Sequence, residues 1–461
     1  MSRPPVLPAA ELLSLVLSGD RAGVFSFEFV QRYLPGAPLV ELVVAVAPGA
    51  GGGASLLISD QVAAVGQWFA GGVPDGDTLA QCARAVGAPV LCLTEVVKLS
   101  PVHIPKPWGQ EIWYTGIEQR GQSGVTDGNS RIPLPWLLAL GAERLLAEGV
   151  AEPNLLKILD PLPEEAFGDL YFELHQEKCE VYVVTAVADS AWPDGRGAIR
   201  YGFDPVLRSR YGDDKAFRAA FLQAVREYES VRRQIDRQID DFRARDGVAT
   251  NAPVSAQTLK AWLAEIPAAW QARELSARQA MDAFTHMVPL AIGDVVKVAR
   301  LSPHALQHGV RTVEFQTPVY ERKILSFGQK VLTQEHWDTE EAVRQMSLEA
   351  GQVEVLPVVA SNELFTLEQV VAFDDFRVYR LTLVPGGECV LAAVDSYKVV
   401  MVVQGEVTLG RQTLAAEEAG LVLRTVANCR VTNSGAGDAV CLVSVPAGIP
   451  LPLVAGGDAQ G

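Results

Sequence analysis

The chain has 461 residues, of which 49% are hydrophobic, and it carries a formal net charge of −16 at pH 7. At ~100–200 residues per domain this length predicts two to four domains. The acidic balance excludes nucleic acid and anionic membranes as the main partners, because both require a basic surface.

Neither disulfides nor a membrane span are expected. The six cysteines are scattered without CxxC spacing, and the opening MSRPPVLPAAELL has no basic stretch followed by a long apolar one. The most apolar run, residues 39–57, is interrupted by Glu41 and Pro48, so it falls short of the ~20 apolar residues that a transmembrane helix needs. We therefore expect a reduced, cytoplasmic protein.

In chain order, residues 1–97 are predicted to be a small α/β segment, because VELVVAVAP and ASLLIS alternate as strands and residues 59–69 and 77–86 have helical spacing. The next stretch, residues 103–125, interleaves aromatic residues with glycines and with Glu111 and Glu118. It suits the wall of a pocket, and it also suits the edge of an aromatic core. In NLLKILD, Lys157 either extends to solvent or meets an anion in a cavity; the residues alone favour solvent.

The stretch LYFELHQEKCEVYVVT contains the strongest candidate site. Glu173 and His175 are two residues apart, so both would point to one face of a β-strand, and Glu180 can return on the next strand of a hairpin. His304 follows a Ser-Pro turn much later and can approach from a third strand. Two imidazoles and two carboxylates suit Zn²⁺ or another divalent first-row metal. A solvated pair on a strand would have the same ExH spacing.

Helical periodicity then replaces the strand pattern. A long amphipathic helix, or a pair, is predicted over residues 213–246, followed by helices over 255–263 and 277–284. We interpret residues 191–285 as a helical insertion between two parts of a metal-binding domain, residues 98–190 and 286–346. Short strands with frequent turns over residues 347–461 predict a C-terminal antiparallel sandwich, and no histidine follows His336. The other histidines, His103 and His286 among them, have no partners at ligand spacing.

Several separate blocks resemble, in order and content, the class I mannose-6-phosphate isomerases, a double-cupin family. They are KPWGQEIW, LLKILD, FELHQEKCEVYVV, IGDVVKVARLSPHALQHGVRTVEFQTP and VVQGEVTL. The resemblance covers roughly residues 103–190 and 286–446. It implies a mainly β fold of two jelly-roll β-sandwiches, the second without a metal, to which the helical insertion and the N-terminal segment are additions.

The resemblance also implies site residues. The implied metal ligands are Glu173, in the place of the family's Gln, with His175, Glu180 and His304; the turn match favours His304 over His308. Lys157 and Lys178 match two active-site lysines, Glu314 matches an acid, and Arg322 is the nearest match to an essential arginine, for which Arg311 or Lys323 could substitute. The implied cofactor is Zn²⁺, or Mn²⁺ or Co²⁺ in its place.

The implied function is a metal-dependent aldose–ketose isomerase of a phosphosugar, converting mannose 6-phosphate to fructose 6-phosphate. Two carboxylates with two neutral imidazoles would balance a divalent charge fully, which makes the metal a weaker Lewis acid than a single carboxylate would. A cupin that binds metal and sugar without isomerising it is the alternative. An iron oxygenase is a third interpretation, and the second carboxylate counts against it.

Overall fold

A computed structural model of the chain describes residues 3–19, 21–49, 53–250, 252, 254–449, 451 and 453–455. The chain divides into two units. The first consists of Met1–Val102, Trp113–Lys157 and Leu356–Gly461, and the second of His103–Ile112 and Ile158–Val355. The division into four parts, residues 1–97, 98–190 with 286–346, 191–285 and 347–461, stays a prediction, and its outermost ends lie outside the described residues.

Among the described residues the helices are α1 (Ala9–Ser18), α2 (Val62–Trp68), α3 (Gly76–Val86), α4 (Leu134–Leu138), α5 (Ala142–Leu145), α6 (Pro205–Arg208), α7 (Asp214–Arg245), α8 (Ala256–Glu265), α9 (Ala268–Asp282) and α10 (Thr339–Ala342). None of these helices has the length and apolar character that crossing a membrane requires.

The strands up to the helical segment are β1 (Gly23–Val30), β2 (Leu39–Pro48), β3 (Ala54–Ser59), β4 (Leu91–Cys92), β5 (Val97–Ser100), β6 (Val102–Lys106), β7 (Gly109–Trp113), β8 (Ile117–Glu118), β9 (Gly121–Gln122), β10 (Gly124–Thr126), β11 (Arg131–Pro133), β12 (Leu155–Pro161), β13 (Phe172–Leu174), β14 (Glu180–Val187) and β15 (Gly197–Phe203). Those after it are β16 (Thr285–Leu290), β17 (Val295–Val298), β18 (His304–Leu306), β19 (Val310–Gln316), β20 (Lys323–Ser326), β21 (Val358–Ser361), β22 (Phe365–Ala372), β23 (Phe376–Leu383), β24 (Glu388–Leu391), β25 (Lys398–Gln404), β26 (Glu406–Leu409), β27 (Gln412–Ala415), β28 (Ala419–Val422), β29 (Cys429–Thr432), β30 (Ala439–Pro446) and β31 (Leu453–Ala455).

The first unit contains the predicted N-terminal α/β structure, a four-stranded antiparallel sheet in the order β1-β2-β3-β4 with α1, α2 and α3 against it. Its other main sheets are nine-stranded, β11-β10-β5-β28-β25-β30-β23-β22-β21, and five-stranded, β27-β26-β29-β24-β31. The C-terminal antiparallel strands expected from the turn spacing are therefore present.

The second unit is also built on two antiparallel sheets. One has the order β17-β14-β19-β12-β7-β6, and the other the order β16-β15-β18-β13-β20. Side chains from both, such as Val184 and Val298 from the first and Ile199 and Ile324 from the second, share one buried cluster. Burial of apolar side chains between two sheets is what holds a β-sandwich together. The mainly β, cupin-type fold predicted from the sequence is confirmed.

The long helix α7 joins two cores. Asp213 caps it, with its carboxylate accepting from the backbone N–H of Ala216 at 2.7 Å. Phe217, Phe221 and Tyr228 from its first half are buried among the sandwich residues, whereas Ile235 and Ile239 from its second half pack in a separate cluster with Trp262 and Ile266. Of the two alternatives predicted for this stretch, the single long helix is the one present.

The last helix of this segment starts earlier than predicted. We expected it from residue 277, but α9 begins at Ala268, directly after Pro267. Most of its residues are exposed and polar or alanine, so no apolar stripe marks its first half. Proline is favoured where a helix starts, because its fixed φ suits the first turn.

Candidate metal centre

Three predicted ligands lie together in the second unit. Glu173 is on β13, His304 begins β18, and the two residues are directly opposite in the antiparallel pairing of these strands. His175 follows the end of β13. Each of the three offers one ligand atom, and these atoms all lie within 4.8 Å of one another. Because opposed residues on paired strands point to the same face, the pairing itself brings Glu173 and His304 together.

The expected hairpin between Glu173 and Glu180 is wrong. β13 belongs to the five-stranded sheet and β14 to the six-stranded sheet, so the chain crosses from one layer of the sandwich to the other. At the crossing, the backbone N–H groups of Gln176 and Glu177 donate to the carboxylate of Glu321, at 2.8 and 3.2 Å. Glu180 therefore reaches the site from the facing sheet rather than from a neighbouring strand.

Backbone carbonyls set the tautomers of both histidines. His175 Nδ1 is 3.0 Å from the carbonyl oxygen of Glu321, and His304 Nδ1 is 2.9 Å from that of Ser302. A carbonyl oxygen only accepts, so each Nδ1 is the protonated nitrogen that donates. In the neutral ring the lone pair is then on Nε2, the arrangement that metal-binding histidines adopt.

Glu180 lies between the two imidazoles. Its Oε1 is 2.6 Å from His304 Nε2 and 3.3 Å from His175 Nε2, and Glu180 and both rings are buried. These distances are short, but among the described residues the angles at neither Nε2 are those of a hydrogen bond. The two ring nitrogens and the carboxylate oxygen are therefore close together without a well-directed hydrogen bond between them.

The carboxylates and cations of the site perturb the two histidines in opposite directions. Burial disfavours the charged form of His304, but the Glu180 carboxylate outweighs burial and raises the pKa of His304. Burial, together with the nearby ammonium of Lys178, lowers the pKa of His175. The pKa of Glu180 is well below its usual range, because Lys178 and the histidines outweigh the cost of burying a carboxylate.

A divalent metal fits these donors. Donor atoms around a tetrahedral Zn²⁺ with bonds of about 2.0–2.2 Å are roughly 3.3–3.6 Å apart. His175 Nε2 is 3.3 Å from Glu180 Oε1 and 3.9 Å from Glu173 Oε1. The distance of 2.6 Å between His304 Nε2 and Glu180 Oε1 is shorter than this spacing. The Glu180 carboxylate would therefore have to move by less than about 1 Å to bind the same ion as His304. The unpartnered Nε2 atoms and Glu173 Oε2 are buried acceptors for which a cation is the natural partner.

Lys178 and Glu314 are buried near Glu180. Lys178 Nζ donates to Glu180 Oε2 at 3.0 Å and to Gln316 Oε1 at 3.1 Å. Tyr182 donates its hydroxyl to Glu180 Oε1. Glu314 is opposite Tyr182 on the paired strand β19 and, like Tyr182, is buried. Lys178 therefore orients Glu180, while Glu314 is a second carboxylate on the same sheet.

Arg322 is beside the cluster. Its Nη1 is 3.6 Å from Glu173 Oε2, and its guanidinium lies over the ring of Tyr171 at 4.3 Å. The two alternatives considered for its role have partners elsewhere, since Arg311 pairs with Asp160 at 2.6 Å and Lys323 with Glu341 at 3.0 Å. Arg322 is thus a cation beside the metal ligands that can meet an anionic group.

Three further residues considered from the sequence are not members of the ligand cluster. Lys157, on β12, is buried rather than exposed. His308 contacts Asp169, with 2.7 Å between His308 Nδ1 and the carboxylate, and stacks on Trp192. His336 is exposed, at 3.7 Å from Asp338. His308 therefore has a structural partner in place of the role considered for it as an alternative ligand.

Glu111 belongs to the stretch that the sequence analysis left open as a pocket wall or the edge of an aromatic core. It is buried in an ion pair with Lys106, at 3.1 Å. Burial lowers the pKa of Arg322, but Glu173, Tyr171 and Glu111 outweigh burial and raise it, which places the Glu111 carboxylate near the arginine. The signal was present in QEIWYTG, where an acid stands among apolar strand residues, but a core edge would give the same pattern.

The comparisons with known proteins bear on the fold. No protein-family model matches the chain, and no curated protein matches it in sequence. Among solved structures, the mannose 6-phosphate isomerase from Bacillus subtilis is similar with a TM-score of 0.51 and 15% identity, over 76% of this chain and 99% of that one. The chain shares that fold.

Two further structures are similar with TM-scores of 0.49 and 13% identity, each over 77% of this chain and all of the other. They are a variant of phosphomannose isomerase from Salmonella typhimurium and a zinc-bound mannose 6-phosphate isomerase. The resemblance suspected from separate sequence blocks is thus confirmed as a likeness of fold, and the Bacillus structure carries that conclusion.

Proposed function

We propose that the protein is a divalent-metal-dependent aldose–ketose isomerase acting on a phosphosugar, with mannose 6-phosphate and fructose 6-phosphate as its substrate pair. The observation that carries the proposal is the convergence of two buried imidazole Nε2 atoms with the carboxylates of Glu173 and Glu180, in a chain with the fold of a mannose 6-phosphate isomerase.

The metal would be held by Glu173, His175 and His304, with Glu180 as the fourth donor. When bound, a divalent metal supplies Lewis-acid stabilisation of the negative charge that develops on the sugar's carbonyl oxygen. The protein's part is to present the donor atoms of the two histidines. The backbone carbonyls of Glu321 and Ser302 accept hydrogen bonds from Nδ1–H, which fixes the tautomer whose Nε2 can bind a metal.

Isomerisation also requires a proton to move between neighbouring carbons, and a carboxylate can carry it. Glu314 is our candidate for this base. It is buried and lies opposite Tyr182, whose hydroxyl donates to Glu180. Lys178, which donates to Glu180, would act by positioning that ligand.

The phosphate group needs a cation, and an acidic protein must supply it locally. Arg322 is suited to this role, because its side chain remains 23% exposed beside Glu173 and the ring of Tyr171 supports it. Arginine can also bind phosphate oxygens through two parallel hydrogen bonds.

The test is turnover of either sugar phosphate by the purified protein, with Zn²⁺, Mn²⁺ or Co²⁺ added in turn. We expect turnover with at least one metal, its loss in His304→Ala, and its retention in His336→Ala, since His336 is an exposed histidine outside the site. No turnover with any metal would reject the isomerase. Saturable binding of the sugar phosphate in that case would identify a binding cupin, and iron in protein purified without chelator would point to oxygen chemistry.

A further inference from the structure

The helical segment of the second unit contains a cavity that the proposed isomerase does not use. Its volume is about 450 Å³, and its wall is formed by α7, α8, α9 and the loops at residues 165–167 and 328–332. None of the metal-centre residues lines it. A volume of this order, mostly apolar and with a few polar groups, is typical of sites for small organic molecules.

The wall is apolar over most of its extent. Ile235 and Ile239 face the cavity from α7, Leu259 and Leu263 from α8, and Leu275 from α9. Ile235 and Ile239 also belong to a small cluster with Trp262 and Ile266, whereas Leu275 and Ala272 on α9 are exposed, so part of the apolar wall is in contact with solvent. Apolar surface left in contact with water is unfavourable, and a ligand with an apolar body would cover it.

The charges in the wall are nearly all paired. Of the lysine and arginine side chains that the structure describes there, three have a carboxylate partner. The pairs are Arg232–Asp236, at 2.9 Å, Arg278–Glu274, at 3.6 Å, and Lys330–Asp240. A further wall carboxylate, Glu165, is exposed to solvent, where its charge is screened.

The remaining cation is Arg243, near the end of α7. It is 4% exposed, yet no carboxylate pairs with it among the described residues. Its Nη1 donates to the carbonyl oxygens of Ala249 and Ala252, at 3.0 and 2.7 Å, and its guanidinium lies 5.7 Å from the ring of Trp262. Nε is buried and has no acceptor in the described part of the chain.

A buried guanidinium with an unused donor edge is costly unless an acceptor meets it. The Nε–Nη2 edge of arginine matches the two oxygens of a carboxylate, which can accept two parallel hydrogen bonds from it. A neutral apolar ligand would leave these N–H donors without an acceptor. Among the described residues of the wall, a multiply charged anion would have a single unpaired cation for several negative charges, in a cavity whose wall is mostly apolar.

We propose that this cavity binds a small amphipathic monocarboxylate, with its carboxylate on Arg243 and its apolar chain or ring between α7, α8 and α9. The site is separate from the metal centre and independent of the isomerase activity.

The test is calorimetric titration of the full chain with sodium decanoate below its micelle-forming concentration, and with 1-decanol, which has the same chain without the charge. We expect saturable binding of one decanoate per chain. Arg243→Gln should weaken decanoate binding by at least about tenfold, as expected for lost charged hydrogen bonds, and should leave the binding of decanol unchanged. Arg237→Gln is the matched control, because Arg237 is an exposed arginine of the same helix outside the wall.

Arg243 also donates hydrogen bonds to two backbone carbonyls, so its substitution affects the local fold as well as the cavity. A second variant therefore decides the outcome if Arg243→Gln does not fold. Ala272 is an exposed residue of α9 that lines the cavity, and Ala272→Trp should place an indole ring in part of the cavity and weaken the binding of both ligands. Ala280→Trp, on an exposed part of the same helix outside the wall, should bind as the natural chain does. Undetectable decanoate binding by the natural chain, or undiminished binding in Ala272→Trp, would overturn the proposal.

Discussion

A buried lysine in the first unit allows a quantitative prediction. Lys398 is the first residue of β25 and is 1% exposed. Within the described residues it makes neither a hydrogen bond nor an ion pair, and burial lowers the pKa of its ammonium to about 8 from an ordinary 10.5. Methionine has a similar length and no charge, so Lys398→Met removes the unfavourable burial while keeping most of the packing.

The size and the sign follow from the two pKa values. The difference of about 2.5 units, 10.5 minus 8, corresponds to about 3 kcal/mol at ~1.36 kcal/mol per unit. The unfolded chain binds more protons than the folded one between pH 8 and 10.5, so folding stability rises with pH across that window and the full penalty is present below it. Lys398→Met should therefore raise the free energy of unfolding by up to about 3 kcal/mol at pH 7, and by progressively less above pH 8.

Urea unfolding of both proteins at pH 7 and pH 9.5 measures this difference. Lys215→Met serves as a control, because Lys215 is exposed at the start of α7, and its substitution should change the free energy of unfolding by less than about 0.5 kcal/mol. If Lys398→Met gave no stabilisation at pH 7, or the same stabilisation at both pH values, the buried ammonium could not be the source of the effect.

Three predictions concern the metal centre. His175→Ala should abolish stoichiometric Zn²⁺ binding in elemental analysis after dialysis, whereas His308→Ala, which changes a histidine outside the cluster, should keep it; equal metal contents would refute the ligand set. Glu180→Gln leaves the buried ammonium of Lys178 without its carboxylate partner at 3.0 Å. In the presence of chelator this substitution should lower the free energy of unfolding by about 3 kcal/mol. A loss of less than about 1 kcal/mol in urea titrations would contradict this expectation. Glu173→Gln removes one negative charge from the donor set and should raise kcat for the sugar phosphate; an unchanged or lower kcat with every metal tested would show that the charge does not limit the reaction.

Local patterns predicted those parts of the structure that depend on local chemistry. The 3.6-residue periodicity after Asp213 predicted a long helix, and that residue caps it. The short strands and frequent turns of the C-terminal segment predicted an antiparallel sandwich, and neighbouring strands there pair antiparallel. The start of α9 was missed, since an exposed helix carries no apolar stripe.

The pairing of distant strands could not be predicted in this way. The ExH spacing predicted only that Glu173 and His175 share a face, whereas the pairing that brings His304 opposite Glu173 joins residues more than a hundred positions apart. The crossing of the chain between β13 and β14 was missed for the same reason, because β13 has only three residues and its sheet is set by its partners. The placement of Glu111 near Arg322 depends on the packing of several strands.

The division of α7 between two cores limits how far the protein can be shortened. Removing the whole helical segment would uncover the aromatic faces of Phe172 and Phe203, which pack edge-on against Phe221, next to the strand that bears Glu173. A truncated metal-binding module would therefore have to retain the first four turns of α7. The second half, with α8, could be exchanged for a shorter connection without uncovering that aromatic core.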